Sequence, residues 1–299
     1  MNDNTRGILF MVLAMAVLIG SDMVVKRLAE GMPLFEVICL RHIVMTLCLG
    51  AMAWRERSFV RKLGGGARAL VALRTLGEVG IVMFYMLALT MMPMGTATAL
   101  FQLQPLAVTL AAAVFLSQPI GPRRIAVIAV GFSGVLLIVP PGALGPGQGA
   151  LGPGAFFVLL AVVCVCLRDI STRALGPGVP APVLAFLASA ALLLVSFIAM
   201  QIRGGWVPVS PSELGGIGLG AALLMAGYLA MVHAMRTGDI AVIAPFRYVS
   251  LVFGLLGGFV LFGEVPRPAM LLGGAIIVAS GMYTFLRERQ LRRAEHHRR

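Results

Sequence analysis

Seven ionisable residues stand inside long apolar stretches: Asp22, Arg41, Arg74, Glu78, Arg168, Asp169 and Arg247. Glu36, Asp239 and Glu264 lie near the ends of such stretches. A charge held in hydrocarbon costs roughly 3 kcal/mol or more, so each is a candidate for a gate, an ion pair or a substrate contact. The chemistry these types support is the handling of charge, not bond making. No HExxH or GxSxG motif and no nucleotide-binding loop occurs, and the only histidines in apolar stretches, His42 and His233, are far apart in sequence. That pattern argues against an intramembrane enzyme and against direct ATP drive. Cys39, Cys48, Cys164 and Cys166 all sit in apolar runs without a CxxC, so they read as buried thiols, and neither a metal nor another cofactor is expected.

Depth along helices of about 1.5 Å rise per residue suggests how the charges meet. With the N-terminus on the cytoplasmic side, Asp22 and Arg41 fall at nearly one level toward the outside. Glu78 and Arg247 share a level nearer the inside, so an outer pair and an inner pair are expected. Asp22, Arg41, Arg74, Asp169, Arg173 and Glu264 are the candidates for gates or ion pairs. A second reading keeps these charges structural, because Asp22 and Lys26, Asp169 and Arg173, and Arg74 and Glu78 are each four residues apart and can pair along one helix.

Uncharged polar groups cluster beside prolines. Gln102 and Gln104 flank the approach to Pro105, and Pro245 precedes Arg247, Tyr248 and Ser250. Proline within a span removes a helix hydrogen bond and permits a bend, and polar groups beside it can line a cavity. The substrate-binding candidates are therefore Glu78, Tyr85, Gln102, Gln104, Tyr228, Arg247 and Tyr248. Interhelical hydrogen bonding is the plainer use of the same polar side chains. His42, next to Arg41, is read as packing.

The elements that must position these residues follow from composition. The chain has 299 residues, 59% of them hydrophobic and only 12% charged, and a mean hydropathy of +0.96. Apolar runs near the roughly 20 residues needed to cross a bilayer recur throughout. Ten spans are expected, at about 7–28, 33–54, 70–90, 94–115, 123–140, 154–175, 181–202, 213–235, 240–262 and 266–286. The formal charge of +12 belongs to the loops and tail of a membrane protein, not to a nucleic-acid surface. Arg6, the Arg55–Arg68 cluster, Arg123, Arg124, Arg168, Arg173, Arg236 and the arginines after Leu286 fall on one side. Only Lys26, Arg27, Arg203 and Arg267 fall on the other, so both termini are expected in the cytoplasm.

One stretch occurs twice. Gly7, Ala14, Asp22, Lys26, Leu28 and Pro33 recur 147 positions later as Gly154, Ala161, Asp169, Arg173, Leu175 and Pro180. The expected domains are a five-helix repeat over 1–140, a Pro/Gly linker outside the cell over 141–153, a second repeat over 154–286 and a basic cytoplasmic tail over 287–299. An odd number of spans per repeat makes the two halves inverted. The fold class is thus all-α integral membrane, with ten transmembrane helices as two inverted repeats, a pattern typical of carriers with a mid-membrane site. Inversion places Asp22 near the outer mouth and Asp169 near the inner one.

The segments PMGTATALFQLQPLAVTLAAAVFLSQPIGPRRIAVIAVGFSGVLLIV and GEVPRPAMLLGGAIIVASGM resemble the end of the EamA repeat of the drug/metabolite transporter superfamily. The opening GSDMVVKRL and Arg41 resemble that repeat's start, and Gln118 stands where the family often has Glu. The resemblance implies a ten-span carrier of the bacterial inner membrane, similar to YddG-type amino-acid exporters. Its expected partners are a small-molecule substrate and the lipid bilayer, with no nucleic acid, and monomer or dimer is left open. Amino-acid export by alternating access is the leading expectation. Uptake or exchange of a bulkier metabolite or organic cation, S-adenosylmethionine-like, is the alternative, with a passive channel as a reading from another class.

Overall fold

Long runs this apolar can satisfy their backbone without water only as helix, and every regular element described is helical. The computed structural model describes residues 3–55, 65–115, 122–138, 152–175, 179–237 and 240–296. Gln118, Asp239, the middle of the Arg55–Arg68 cluster and nearly all of the Pro/Gly linker lie outside these residues.

The first half holds α1 (Asp3–Leu28), α2 (Leu34–Arg55), α3 (Gly65–Met91), α4 (Met94–Phe101), α5 (Gln104–Phe115) and α6 (Pro122–Ile138). The second holds α7 (Pro153–Leu175), α8 (Ala181–Arg203), α9 (Pro211–Thr237), the short α10 (Ile240–Ile243), α11 (Val249–Phe262) and α12 (Pro268–His296). A 3-10 turn, Ala244–Tyr248, joins α10 to α11. Each expected span coincides with a helix or a broken helix to within a few residues, except that α12 runs to His296 through most of the stretch read as a tail. Among the described residues, eight helical stretches are long and apolar enough to cross a membrane. Ile125–Ile138 and Pro268–Tyr283 are shorter apolar helices, so length alone does not give the count of ten.

The distribution of polarity is inverted relative to a water-soluble protein. Arg41, Gln102, Ser21, Ser171, Ser189 and Ser196 are buried, while Leu47, Leu136, Val163 and Val260 are exposed on the outside of the bundle. Such a surface requires an apolar solvent. The closest packing runs between halves: α1 against α9, α3 against α7, α2 against α8 and α6 against α12. Two glycines 147 positions apart explain how close the first two pairs come. A Cβ on Gly80 of α3 would collide with Cys164 Sγ of α7, and one on Gly227 of α9 would lie 2.6 Å from Leu18 Cγ of α1.

Two spans are broken at their prolines. Gln102 and Leu103 turn between α4 and α5, because Pro105 has no N–H to return to the carbonyl of Phe101. Pro245 sits inside the 3-10 turn that precedes α11.

Candidate functional site

The two breaks meet. Gln102 Nε2 donates to Ser250 Oγ at 3.0 Å and to the Tyr248 carbonyl at 3.3 Å, and Ser250 Oγ donates to the Arg247 carbonyl at 2.8 Å. Beside this junction lies a cavity of about 320 Å³, the size of a small-metabolite pocket. Asp22 of α1, Arg41 of α2, Arg74, Glu78 and Tyr85 of α3, Gln102, Gln104, Tyr228 of α9 and Arg247 all line it.

Local sequence accounts for this convergence. On α3, Arg74, Glu78, Ile81 and Tyr85 repeat at helical spacing and form one stripe, which faces the cavity. Gly77 lies on the neighbouring face, where a Cβ would sit 2.8 Å from the Arg168 backbone nitrogen and 2.9 Å from the Cys164 carbonyl. The α3 and α7 backbones therefore touch, which carries Arg168 to the cavity wall. Tyr85 is held by Thr98 at 3.3 Å and by the Phe101 ring, centroids 4.7 Å apart.

The ion pairs differ from those expected. Glu78 pairs with Arg168 at 3.6 Å and Arg74 at 3.8 Å, not with Arg247. Among the described residues no ion pair joins Asp22 to Arg41, although the two share the cavity wall. Arg41 Nη1 instead donates to Ser21 Oγ at 3.4 Å, and Ser21 Oγ donates to the Gly220 carbonyl at 2.8 Å. Of the three pairings along one helix, only Arg74–Glu78 forms. Asp169 accepts from Arg168 Nε at 2.8 Å and Arg173 is exposed, while Lys26 turns away from Asp22 to Glu264.

Glu264 and Tyr248 stand apart from the cavity. Gly263 ends α11 in the left-handed region, φ +65°, a conformation glycine adopts without a Cβ penalty. The chain then folds back and puts the Glu264 carboxylate over Gly258, where a Cβ would leave it only 2.6 Å. There Glu264 accepts from Lys26 Nζ at 2.5 Å and from the Met94 backbone N–H at 2.7 Å. Lys26 also donates to the Met92 carbonyl at 3.2 Å and lies 4.9 Å from the Phe262 ring centroid. The end of α1, the start of α4 and the end of α11 are thus tied at one face of the bundle. Tyr248, expected to line the site, directs its hydroxyl against Gly281 of α12 with no hydrogen-bond partner.

Arg168 and Ser250, singled out in the sequence but not counted among the substrate-binding candidates, also line the cavity, and sequence reasoning missed His42, Thr98 and Ser189 there. The Arg168 signal was the charge itself, assigned to the cytoplasmic side. His42 faces the cavity with Nδ1 bonded to the Ile38 carbonyl at 2.8 Å. Ser189 and Thr46 bond each other at 2.9 Å between α8 and α2.

Residues 5–139 match the EamA-like transporter family. The chain carries an EamA domain. That domain is one of the drug/metabolite transporter superfamily, the chain is a multi-pass membrane protein, and the relatives it resembles are named as transporters and not as enzymes. It is 24% identical to an S-adenosylmethionine uptake transporter of Rickettsia prowazekii over 99% of both chains. A riboflavin transporter of Rhizobium johnstonii is 28% identical over 67% of this chain and 64% of its own length. A probable terminal-alkyne amino-acid exporter of Streptantibioticus cattleyicolor is 30% identical over 64% of this chain and 63% of its own. A solved crystal structure shares the fold, with a TM-score of 0.63 over 96% of this chain and 99% of the other at 19% identity.

Proposed function

We propose that this EamA transporter is a secondary carrier of the bacterial inner membrane that works by alternating access and exports amino acids or related small metabolites. The observation that carries the reading is the cavity itself, which draws charged and polar side chains from both halves and sits at the junction of the two broken spans. Broken helices around a site between repeats are how carriers bind solutes within a membrane.

Two inverted five-helix repeats, ten spans, cytoplasmic termini and an external linker complete the proposal. Gly80 and Gly227 support it, since equivalent positions make equivalent close approaches in the α3–α7 and α1–α9 pairs. Gln102 and Tyr248 support it too. They are 146 positions apart, near the repeat offset, and they touch, as equivalent residues beside a twofold axis do. On this reading Asp22, Arg41, Arg74, Glu78, Tyr85, Gln102, Gln104, Tyr228 and Arg247 surround the substrate. Lys26–Glu264 is the gate on the outer face, and Asp169 and Arg173 belong to the inner one.

The alternative, uptake or exchange of a bulkier metabolite or organic cation, is favoured by the end-to-end match to the S-adenosylmethionine uptake transporter. Purified protein in liposomes, screened for flux of labelled amino acids, polyamines, nucleosides and S-adenosylmethionine, separates the two. Export is read from uptake into inverted vesicles. Flux of amino acids supports the first reading, flux of S-adenosylmethionine alone supports the second, and no flux of any compound defeats both.

A further inference from the structure

We propose that the cavity selects a substrate with net negative charge, an organic acid whose carboxylate rests on Arg247; this deepens the carrier reading above and rests on it. Four guanidiniums line the cavity, those of Arg41, Arg74, Arg168 and Arg247, against the two carboxylates of Asp22 and Glu78. Asp169, bonded to Arg168 outside the lining, makes a third acid nearby, so cations still outnumber acids.

Two of those acids are already committed. Glu78 lies between Arg168 at 3.6 Å and Arg74 at 3.8 Å, and Asp169 is hydrogen-bonded by Arg168 at 2.8 Å. Asp22 makes no ion pair among the described residues, but it shares the cavity wall with Arg41, which is likewise without one, so these two charges offset each other across the cavity. Arg247 is different. Among the described residues no carboxylate lies within ion-pair distance of it, and its charged neighbours are Arg168 and Asp169, which are bonded to one another.

The backbone presents Arg247 firmly. It lies on the 3-10 turn behind Pro245, and its carbonyl is tied through Ser250 to Gln102. A guanidinium is a planar fork of donors that fits a carboxylate in two parallel hydrogen bonds. Arg247 is half-buried and faces the cavity without a counter-charge, and an incoming carboxylate supplies one. An incoming ammonium group finds only Asp22, which already shares the cavity wall with Arg41, and adds to the excess of cations. A zwitterion gains at one end and loses at the other. The order of preference is therefore anion, then zwitterion, then cation, which opposes the organic-cation alternative.

The test uses one scaffold in three charge states: an N-acetyl amino acid, the free amino acid and the amino acid amide. Trios built on alanine, glutamate, methionine and phenylalanine cover a range of size. Binding to the full-length protein in nanodiscs is followed by calorimetry. The acetylated member of at least one trio is expected to bind best, and Arg247→Gln to weaken it roughly ten- to a hundredfold. Arg247→Lys, which keeps the charge and loses the fork, retains the order of preference at lower affinity and serves if the glutamine variant does not fold. The proposal is overturned if amides bind as tightly as acetylated members, if Arg247→Gln keeps the anion preference, or if no acid in any trio binds. In the first two cases the carrier reading survives; it falls only when the flux screen is also blank.

Discussion

Glu264→Gln is expected to loosen one face of the bundle. The Glu264 carboxylate holds Lys26 of α1 at 2.5 Å and the first amide of α4 at 2.7 Å. The glutamine keeps an acceptor for the Met94 N–H and loses the charge that holds Lys26. A hydrogen bond to a charged group contributes about 1.5–3 kcal/mol. The two side chains are 12% and 17% exposed, so solvent screening moves the loss toward the lower end, about 1–2 kcal/mol. Taken wholly from the closed arrangement of this face, that shifts the ratio of open to closed by roughly 5- to 30-fold. Thr98 reports the opening, since it is buried one turn beyond Met94 and borders the cavity. A cysteine placed there should react with a membrane-impermeant maleimide faster by that factor in Glu264→Gln, and Lys26→Met should do the same. The double variant should be no faster than either alone. Unchanged rates in both single variants, or effects that simply add, would refute the gate.

Other substitutions test the packing and the site. Gly80→Leu and Gly227→Leu should each destabilise by about 1–3 kcal/mol through overpacking, seen as a lower melting temperature, whereas Gly215→Ala, with nothing within 4 Å of the added carbon, should be near neutral. Gln102→Leu removes the link from α4 to Ser250 and the Tyr248 carbonyl; flux should fall sharply while stability drops by only about 1–2 kcal/mol. Glu78→Gln leaves Arg74 without its acid and Arg168 with Asp169 alone, so it should lower the melting temperature more than the double change Arg74→Gln with Glu78→Gln, which removes both charges of one pair.

The helices were legible because hydropathy and proline act locally. Pro105 and Pro245 marked the two broken spans, and Gln102 beside the first break does meet Ser250 and the Tyr248 carbonyl beside the second. Apart from Arg74–Glu78, the partners of the charges were not legible, because they depend on which helices touch. Glu78 finds Arg168 only because Gly77 lets the α3 and α7 backbones into contact. Lys26 finds Glu264 only because Gly263 folds the chain back at the end of α11. Tyr248 was misplaced for a local reason. A 3-10 turn advances about 120° per residue, unlike an α-helix, so side chains after Pro245 point elsewhere than an uninterrupted helix would send them. The repeat offset of 147 is proposed from sequence, and Gly80 and Gly227, which stand at that offset, were not among the residues that suggested it.

The central claim is that substrate is carried by a site open to one side at a time. Trans-stimulation tests it most directly. Liposomes holding the purified protein are loaded with an unlabelled compound found active in the flux screen, and uptake of the labelled compound is followed against unloaded liposomes. A carrier working by alternating access should show faster uptake and a transient overshoot in the loaded vesicles. Uptake indifferent to loading, together with unitary currents in a planar bilayer, would contradict the account and make the protein a channel.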